Sequence, residues 1–204
     1  ETAHLLFPED SLFNTMQSVG KIEDLRRVAK IINFGIIYGM SPYGLSQELN
    51  ISLAEANNFI KEYFFRFKGV KSYIEKTIEF VEKNGYVYTI LNRRRYITEI
   101  QNNNKKRKEF GRRAAINMPI QGSAADLMKM AMNQVYDYFK REKLKSKMIL
   151  QVHDELLFEV APEDEKSVYT PVKKIMENVI PLKVPLRVDA KKGLNYLDMV
   201  PIKE

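Results

Sequence analysis

The spacing of the apolar residues shifts at Lys147, and that shift constrains the fold more than any other feature of the chain. Up to Glu142 most apolar positions recur every three or four residues, the period of an amphipathic helix. Beyond it, Lys147-Met148-Ile149-Leu150-Gln151-Val152 and Leu156-Leu157-Phe158-Glu159-Val160 read as strands flanking the polar trio His153-Asp154-Glu155. Many helices followed by a small antiparallel sheet is an α+β arrangement.

The helical part divides at recognisable signals. Residues 21–39 form the first predicted helix. A second starts at Ser52, where Ser52-Leu53-Ala54-Glu55 fits a capping box and Phe59, Tyr63 and Phe67 follow at helical spacing. Gly69 is expected to break it, and the next helix to run from about Val70 to Lys83, stopped by Asn84-Gly85. Tyr86 to Ile90 and Arg94 to Ile97 predict a hairpin turning at Leu91-Asn92. Residues 104–142 are helical again, with a kink or a restart expected at Pro119 and Ser123 as a cap for the second half. A last helix over 162–179 and a closing strand from Pro185 to Ala190 complete the reading.

Composition narrows the chemistry. Among 204 residues there is no Cys, which excludes disulfides, thiol catalysis and cysteine-bound zinc. The two histidines, His4 and His153, cannot build a histidine-rich metal cage. With 33 basic against 26 acidic residues the net charge is +7, which points to a polyanion, nucleic acid first. No apolar run reaches the roughly 20 residues that span a bilayer, and no signal peptide opens the chain, so neither a membrane partner nor secretion is expected. The chain starts at Glu1 and is expected to be part of a longer protein.

Three constellations can carry chemistry. Arg26, Lys30, Phe34 and Tyr38 stand four residues apart and so share one helix face, two cations followed by two aromatics. Such a face grips phosphates at one end and stacks rings at the other. Spacing alone favours an ordinary amphipathic helix with aromatics in the core and solvated cations. Gly35 and Gly39 tell against that, since glycine in a helix costs up to about 1 kcal/mol and implies close approach by another group. Arg113, Asn117 and Gln121 recur in the same way, a cation and two amides suited to base edges in the minor groove or, equally, the polar side of an Ala-rich helix. His153-Asp154-Glu155 puts adjacent carboxylates at a hairpin tip, where a divalent metal or plain solvation satisfies them. The basic runs Arg93 to Arg95 and Lys105 to Lys108 fit a plain solvated face, the usual case, and in a chain of this charge also a phosphate stripe.

In order and spacing these segments resemble the A-family DNA polymerases, the class of bacterial DNA polymerase I. Arg26 to Gly39 resembles the R-x3-K-x3-F-G-x2-Y-G motif of that family, and Gln151-Val152-His153-Asp154-Glu155 its Q-V-H-D-E signature, with Arg113 to Asp126 between them. The resemblance implies a mostly helical fingers subdomain over residues 1–90 and the C-terminal part of a palm over 91–204. It implies that Arg26 and Lys30 hold the triphosphate of a dNTP, that Lys30 donates a proton to the leaving pyrophosphate, and that Phe34 and Tyr38 pack on the nucleotide and the template–primer stack. Ser41 and Tyr43 would lie near the template, and Arg113, Asn117, Gln121 and His153 on primer-template DNA. Asp154 would ligate Mg2+, with Glu155 beside it, in a two-metal site completed by an aspartate outside this chain. The thumb and N-terminal palm are likewise expected in the rest of the polymerase chain, without which this piece is expected to be inactive. The family's usual Gly and Pro are here Asn92 and Thr98. Two other readings stand beside this one: a single-subunit phage-type RNA polymerase, disfavoured by Phe34 and Glu155, and a non-catalytic DNA-binding module. A cytoplasmic bacterial or phage setting, or an organelle, follows from the resemblance.

Overall fold

In α1 (Ile22–Ile37) the residues Val28, Ala29, Ile32 and Ile36 fall on one stripe and are buried. A stripe of that kind forms a stable helix only against partners. The computed structural model describes residues 22–202, with side chains from Arg27 onward, and divides into two compact units, up to Ile120 and from Gln121.

In the first unit the partners of α1 are Leu45 of α2 (Pro42–Leu49) and Ala56 and Tyr63 of α3 (Leu53–Arg66). Helix α2 was not expected, because its eight residues contain Gly44 and show too little periodicity. It exists because Ser41 caps it, accepting from the Gly44 amide at 3.1 Å, and because Leu45 is buried. The expected capping box of α3 is present: Ser52 Oγ accepts from the Glu55 amide at 3.2 Å and Glu55 Oε2 from the Ser52 amide at 2.8 Å. The break after α3 falls at Phe67, not Gly69. Phe67 leaves the helical region (φ −102°, ψ 61°) with its ring 4.8 Å from that of Tyr63, while Gly69 lies in the first turn of α4 (Lys68–Asn84) with open space around it. Burial of an aromatic, not glycine's freedom, sets the bend.

Helix α4 ends as expected at Gly85 (φ 76°). Strands β1 (Tyr86–Tyr88) and β2 (Arg94–Tyr96) pair antiparallel with Tyr86 opposite Tyr96, and Asn92 takes the left-handed turn position (φ 62°). Val81, Val87, Ile97, Ile100, Ala115 and Met118 form the core beneath this hairpin.

Helix α5 (Lys105–Arg141) corrects the expectation at Pro119: it runs through the proline without restarting, and Ser123 is an interior residue, not a cap. Proline inside a helix costs about 3 kcal/mol, because Ala115 loses its donor and the ring crowds the preceding turn. Burial on both sides offsets this, Ala115 and Met118 before the proline and Val135 and Phe139 after it. Tyr73 adds a donor beside the defect, its hydroxyl reaching the Ile116 carbonyl at 2.7 Å.

The second unit packs the end of α5 on α6 (Glu165–Glu177) through Val135, Phe139, Val168 and Val172. Strands β3 (Lys147–Val152) and β4 (Glu155–Glu159) pair antiparallel, with an irregularity between Met148 and Leu150. The predicted helix over 162–179 is a 3₁₀ turn, Pro162–Asp164, followed by α6. The junction is where Asp164 Oδ2 accepts from both the amide and the hydroxyl of Ser146, each at 2.8 Å. The predicted strand from Pro185 to Ala190 does not form. Its proline lacks a donor, and the Val188 amide is taken by Glu177 Oε1 at 3.0 Å instead of a neighbouring strand. The chain closes with a short pair, β5 (Lys191–Lys192) and β6 (Val200–Pro201).

Two consequences are measurable. Tyr73→Phe removes the bond to Ile116 and is expected to lower unfolding free energy by about 1 kcal/mol, read from guanidinium unfolding midpoints. The amide and hydroxyl of Ser146 hold the buried Asp164 carboxyl below its ordinary value. The stability this contributes is present above the unfolded-state pKa of about 3.9 and is lost as pH falls through the lower folded one. Asp164→Asn should therefore be less stable at neutral pH and lose less stability on acidification, by urea midpoints between about pH 2.5 and pH 6.

Candidate active site

The end of α1 is built by two backbone bonds, Met40 N–H to Gly35 O at 2.7 Å and Gly39 N–H to Ile36 O at 3.0 Å, with Gly39 left-handed at φ 73°. This is a Schellman end, which requires a residue without a Cβ penalty at that position. Gly39 thus lies past the helix, not inside it. The close approach anticipated for both glycines is real. A Cβ on Gly35 would stand 2.9 Å from Met40 Sδ, and one on Gly39 only 2.6 Å from Arg113 Cγ. The stem of Arg113, from α5, therefore lies flat on the Gly39 backbone.

Around this contact runs an open groove of about 560 Å³, lined among others by Phe34, Tyr38, Ser41, Glu48 and Arg113. Phe34 and Tyr38 are 45% and 37% exposed, so they are not core residues of an ordinary amphipathic helix. Their rings stack at 5.9 Å with 25° between planes, and Lys30 Nζ lies 5.9 Å from the Phe34 centroid. The face therefore grades from a cation to stacked rings. The side chain of Arg26, one turn earlier, lies outside the described residues. Ser41 is occupied as the cap of α2, and Tyr43 projects from the first turn of that helix, exposed. Next to Phe34, Asn33 accepts from the buried Tyr63 hydroxyl at 2.7 Å, a strut between α1 and α3 that no spacing announced.

On α5, Arg112 and Arg113 part company. Arg112 binds Glu82 at 2.8 Å and Glu109 at 3.1 Å, and the Glu82 carboxylate holds its guanidinium above the usual range. That leaves Arg113 as the arginine of the groove. Asn117, one turn on, has a buried Oδ1 with no hydrogen-bond partner among the described residues. Of the basic stripe, Arg94 covers the Tyr86 ring at 4.9 Å, and Lys105, Lys106 and Arg107 are exposed in the first turn of α5.

The second unit holds the rest. Gln121 is exposed on α5. Val152 pairs with Glu155, so His153 and Asp154 alone form the loop of the β3–β4 hairpin, and Glu155 is already in a strand. His153 is left-handed (φ 52°), an uncommon state for a residue with a side chain. Gln151 Nε2 donates to the His153 carbonyl at 2.6 Å, and the Tyr196 hydroxyl donates to Glu155 Oε2 at 3.1 Å. That bond and the Glu155 charge push the Tyr196 phenol above its ordinary value. The Asp154 carboxylate is exposed and makes no hydrogen bond or ion pair with the described residues. Among the described residues no three acidic, histidine or cysteine side chains converge on one point.

The profile of DNA polymerase family A matches residues 10–198. The chain belongs to that family. It is 50% identical to DNA polymerase I of Caldicellulosiruptor bescii over 86% of this chain and 21% of that protein, and 45% identical to DNA polymerase I of Bacillus subtilis over 85% of this chain and 20% of that protein. Among solved structures, the POL domain of Pol1 from M. smegmatis, in complex with DNA primer-template and dNTP, superposes with a TM-score of 0.81 at 41% identity, covering 91% of this chain and 32% of that one. The chain thus spans about a fifth of the length of the curated relatives it matches. An α+β piece of an A-family polymerase is what the motifs implied, and the single-subunit RNA polymerase alternative finds no support. Membership implies a divalent metal, and the donor set suits one in part: Asp154 offers a hard, unpartnered carboxylate oxygen, whereas further ligands are not gathered among the described residues. No helix among the described residues is long and apolar enough to cross a membrane.

The Gly39–Arg113 contact gives a direct test. Gly39→Ala is expected to destabilise by about 1–2 kcal/mol through its backbone conformation alone, and further by displacing Arg113. In an Arg113→Ala background the additional part should vanish, and a double-mutant cycle by chemical denaturation measures it.

Proposed function

We propose that this chain is the fingers and C-terminal palm portion of a longer polymerase that carries out template-directed DNA synthesis, transferring a nucleotide from dNTP to a primer 3′-hydroxyl. The observation that carries the reading is the graded face from Lys30 to Phe34 to Tyr38, whose two rings line a groove together with Arg113, packed on Gly39. A triphosphate needs cations at one end and a sugar and base need flat apolar surface at the other, and the steps of one helical turn supply both in order. Residues 1–90 would be mainly fingers and 91–204 palm.

In this reading Lys30, with Arg26, neutralises the triphosphate and holds a proton for the departing pyrophosphate. Phe34 packs on the nucleotide, Tyr38 on the terminal base pair, and Ser41 and Tyr43 sit beside the template. Arg113, Asn117, Gln121 and His153 contact the primer terminus and minor groove; the unpaired Asn117 oxygen is the kind of group a nucleic-acid donor satisfies. The exposed cations at the start of α5 oppose the helix dipole, a cost that phosphate contacts offset. Asp154 would hold Mg2+, with Glu155 beside it, and the remaining ligand of a two-metal site would come from the rest of the polymerase chain. Bound there, metal would supply charge neutralisation and activation of the primer hydroxyl.

The experiment is primer extension by the full-length protein. Asp154→Ala is expected to abolish nucleotide addition with the Kd for primer-template changed less than about threefold, because a metal ligand acts on the transition state. Lys30→Ala should raise KM for dNTP far more than Kd for DNA. Extension by Asp154→Ala at the wild-type rate would instead leave a DNA-binding module.

A further inference from the structure

The loop that carries Asp154 is held from both sides while Asp154 itself is left alone. On one side Gln151 Nε2 binds the His153 carbonyl at 2.6 Å. On the other, Tyr196, 41 residues away in sequence, donates its hydroxyl to Glu155 Oε2 at 3.1 Å. Resting on the polymerase reading above, we propose that Tyr196 is a positioning residue: its phenol holds the Glu155 carboxylate and so fixes the residue immediately after Asp154.

The place of Tyr196 is set by its surroundings and not by chance contact. It lies between β5 and β6, in a turn where Asn195 Oδ1 accepts from the Leu197 amide at 2.9 Å and the Asp198 amide at 3.1 Å. Gly193 closes that turn, since a Cβ there would stand 2.9 Å from Asp198 O and 3.0 Å from Met199 Cα. Lys192 Nζ ties the same pair to α6 through Glu165 Oε1 at 2.7 Å. The C-terminal hairpin is thus a bracket fastened to a helix at one end and to Glu155 at the other. A phenol donating to a carboxylate makes a charge-assisted bond, stronger than a neutral one, and a two-residue loop with a left-handed His153 has few other restraints. Without the bond, the Glu155 carboxylate loses the one side-chain partner it has among the described residues.

The test uses the full-length polymerase. Tyr196→Phe keeps the ring and removes only the donor. The expected result is a kcat about fivefold lower, KM for dNTP and Kd for primer-template unchanged within about twofold, and faster hydrogen exchange at the amides of 153–155. In a Glu155→Met background, which leaves no acceptor for the phenol, Tyr196→Phe should change neither readout further, and in the wild-type background Tyr196→Trp, which restores an N–H donor, should recover both in part relative to Tyr196→Phe. Wild-type kcat and exchange in Tyr196→Phe, or an equal loss in the Glu155→Met background, would overturn the proposal. Those outcomes with Asp154→Ala inactive would leave the polymerase reading intact. Should Asp154→Ala extend primers normally, that reading falls, and exchange at 153–155 alone then decides whether Tyr196 holds Glu155.

Discussion

The first unit depends on one close approach, that of the Arg113 stem to the backbone of Gly39. Any side chain at residue 39 would stand where Arg113 Cγ lies, so the glycine sets the distance at which α5 passes the end of α1. It does so while ending the helix in a left-handed conformation that only glycine adopts cheaply. Two requirements thus coincide on one residue. The outcome is a rigid corner where the last turn of an aromatic-bearing helix, the cap of α2 and an arginine share one groove.

That corner separates packing from function by helix face. Val28, Ile32 and Ile36 are buried against α2 and α3, while Lys30, Phe34 and Tyr38 face outward. Phe34 and Tyr38 leave 45% and 37% of their surface exposed and so forgo part of the apolar burial that the core residues of α1 gain. Tyr63 and Asn33 tie the helix to α3, and the two rings stack on each other outside the buried cluster. The same division appears on α5, where Arg112 is consumed by Glu82 and Glu109 and Arg113 is not.

The second unit manages polarity differently. Its buried carboxylate, Asp164, is saturated by Ser146 and anchors the base of β3, while the carboxylates at the hairpin tip stay in solvent. The only restraint on the tip that comes from far along the chain, among the bonds described, is the phenol of Tyr196.

Local signals carried much of this into the sequence. The capping box at Ser52, the stop at Gly85, the Asn92 turn and the change of period at Lys147 depend on residues a few positions apart, so the chain specified them without reference to its fold. The four-residue spacing of Lys30, Phe34 and Tyr38 likewise fixed that they share a face. Which face it is, buried or open, was decided by α2 and α3, because an aromatic stripe packs or solvates according to what lies opposite. Tertiary packing also overrode local rules: Pro119 stays helical because burial on both sides outweighs one lost hydrogen bond, and Phe67 bends the chain because its ring seats on Tyr63. The pairings of Gly39 with Arg113 and of Glu155 with Tyr196 join residues 74 and 41 positions apart. No periodicity reaches that far, since such contacts exist only once the elements between them have packed.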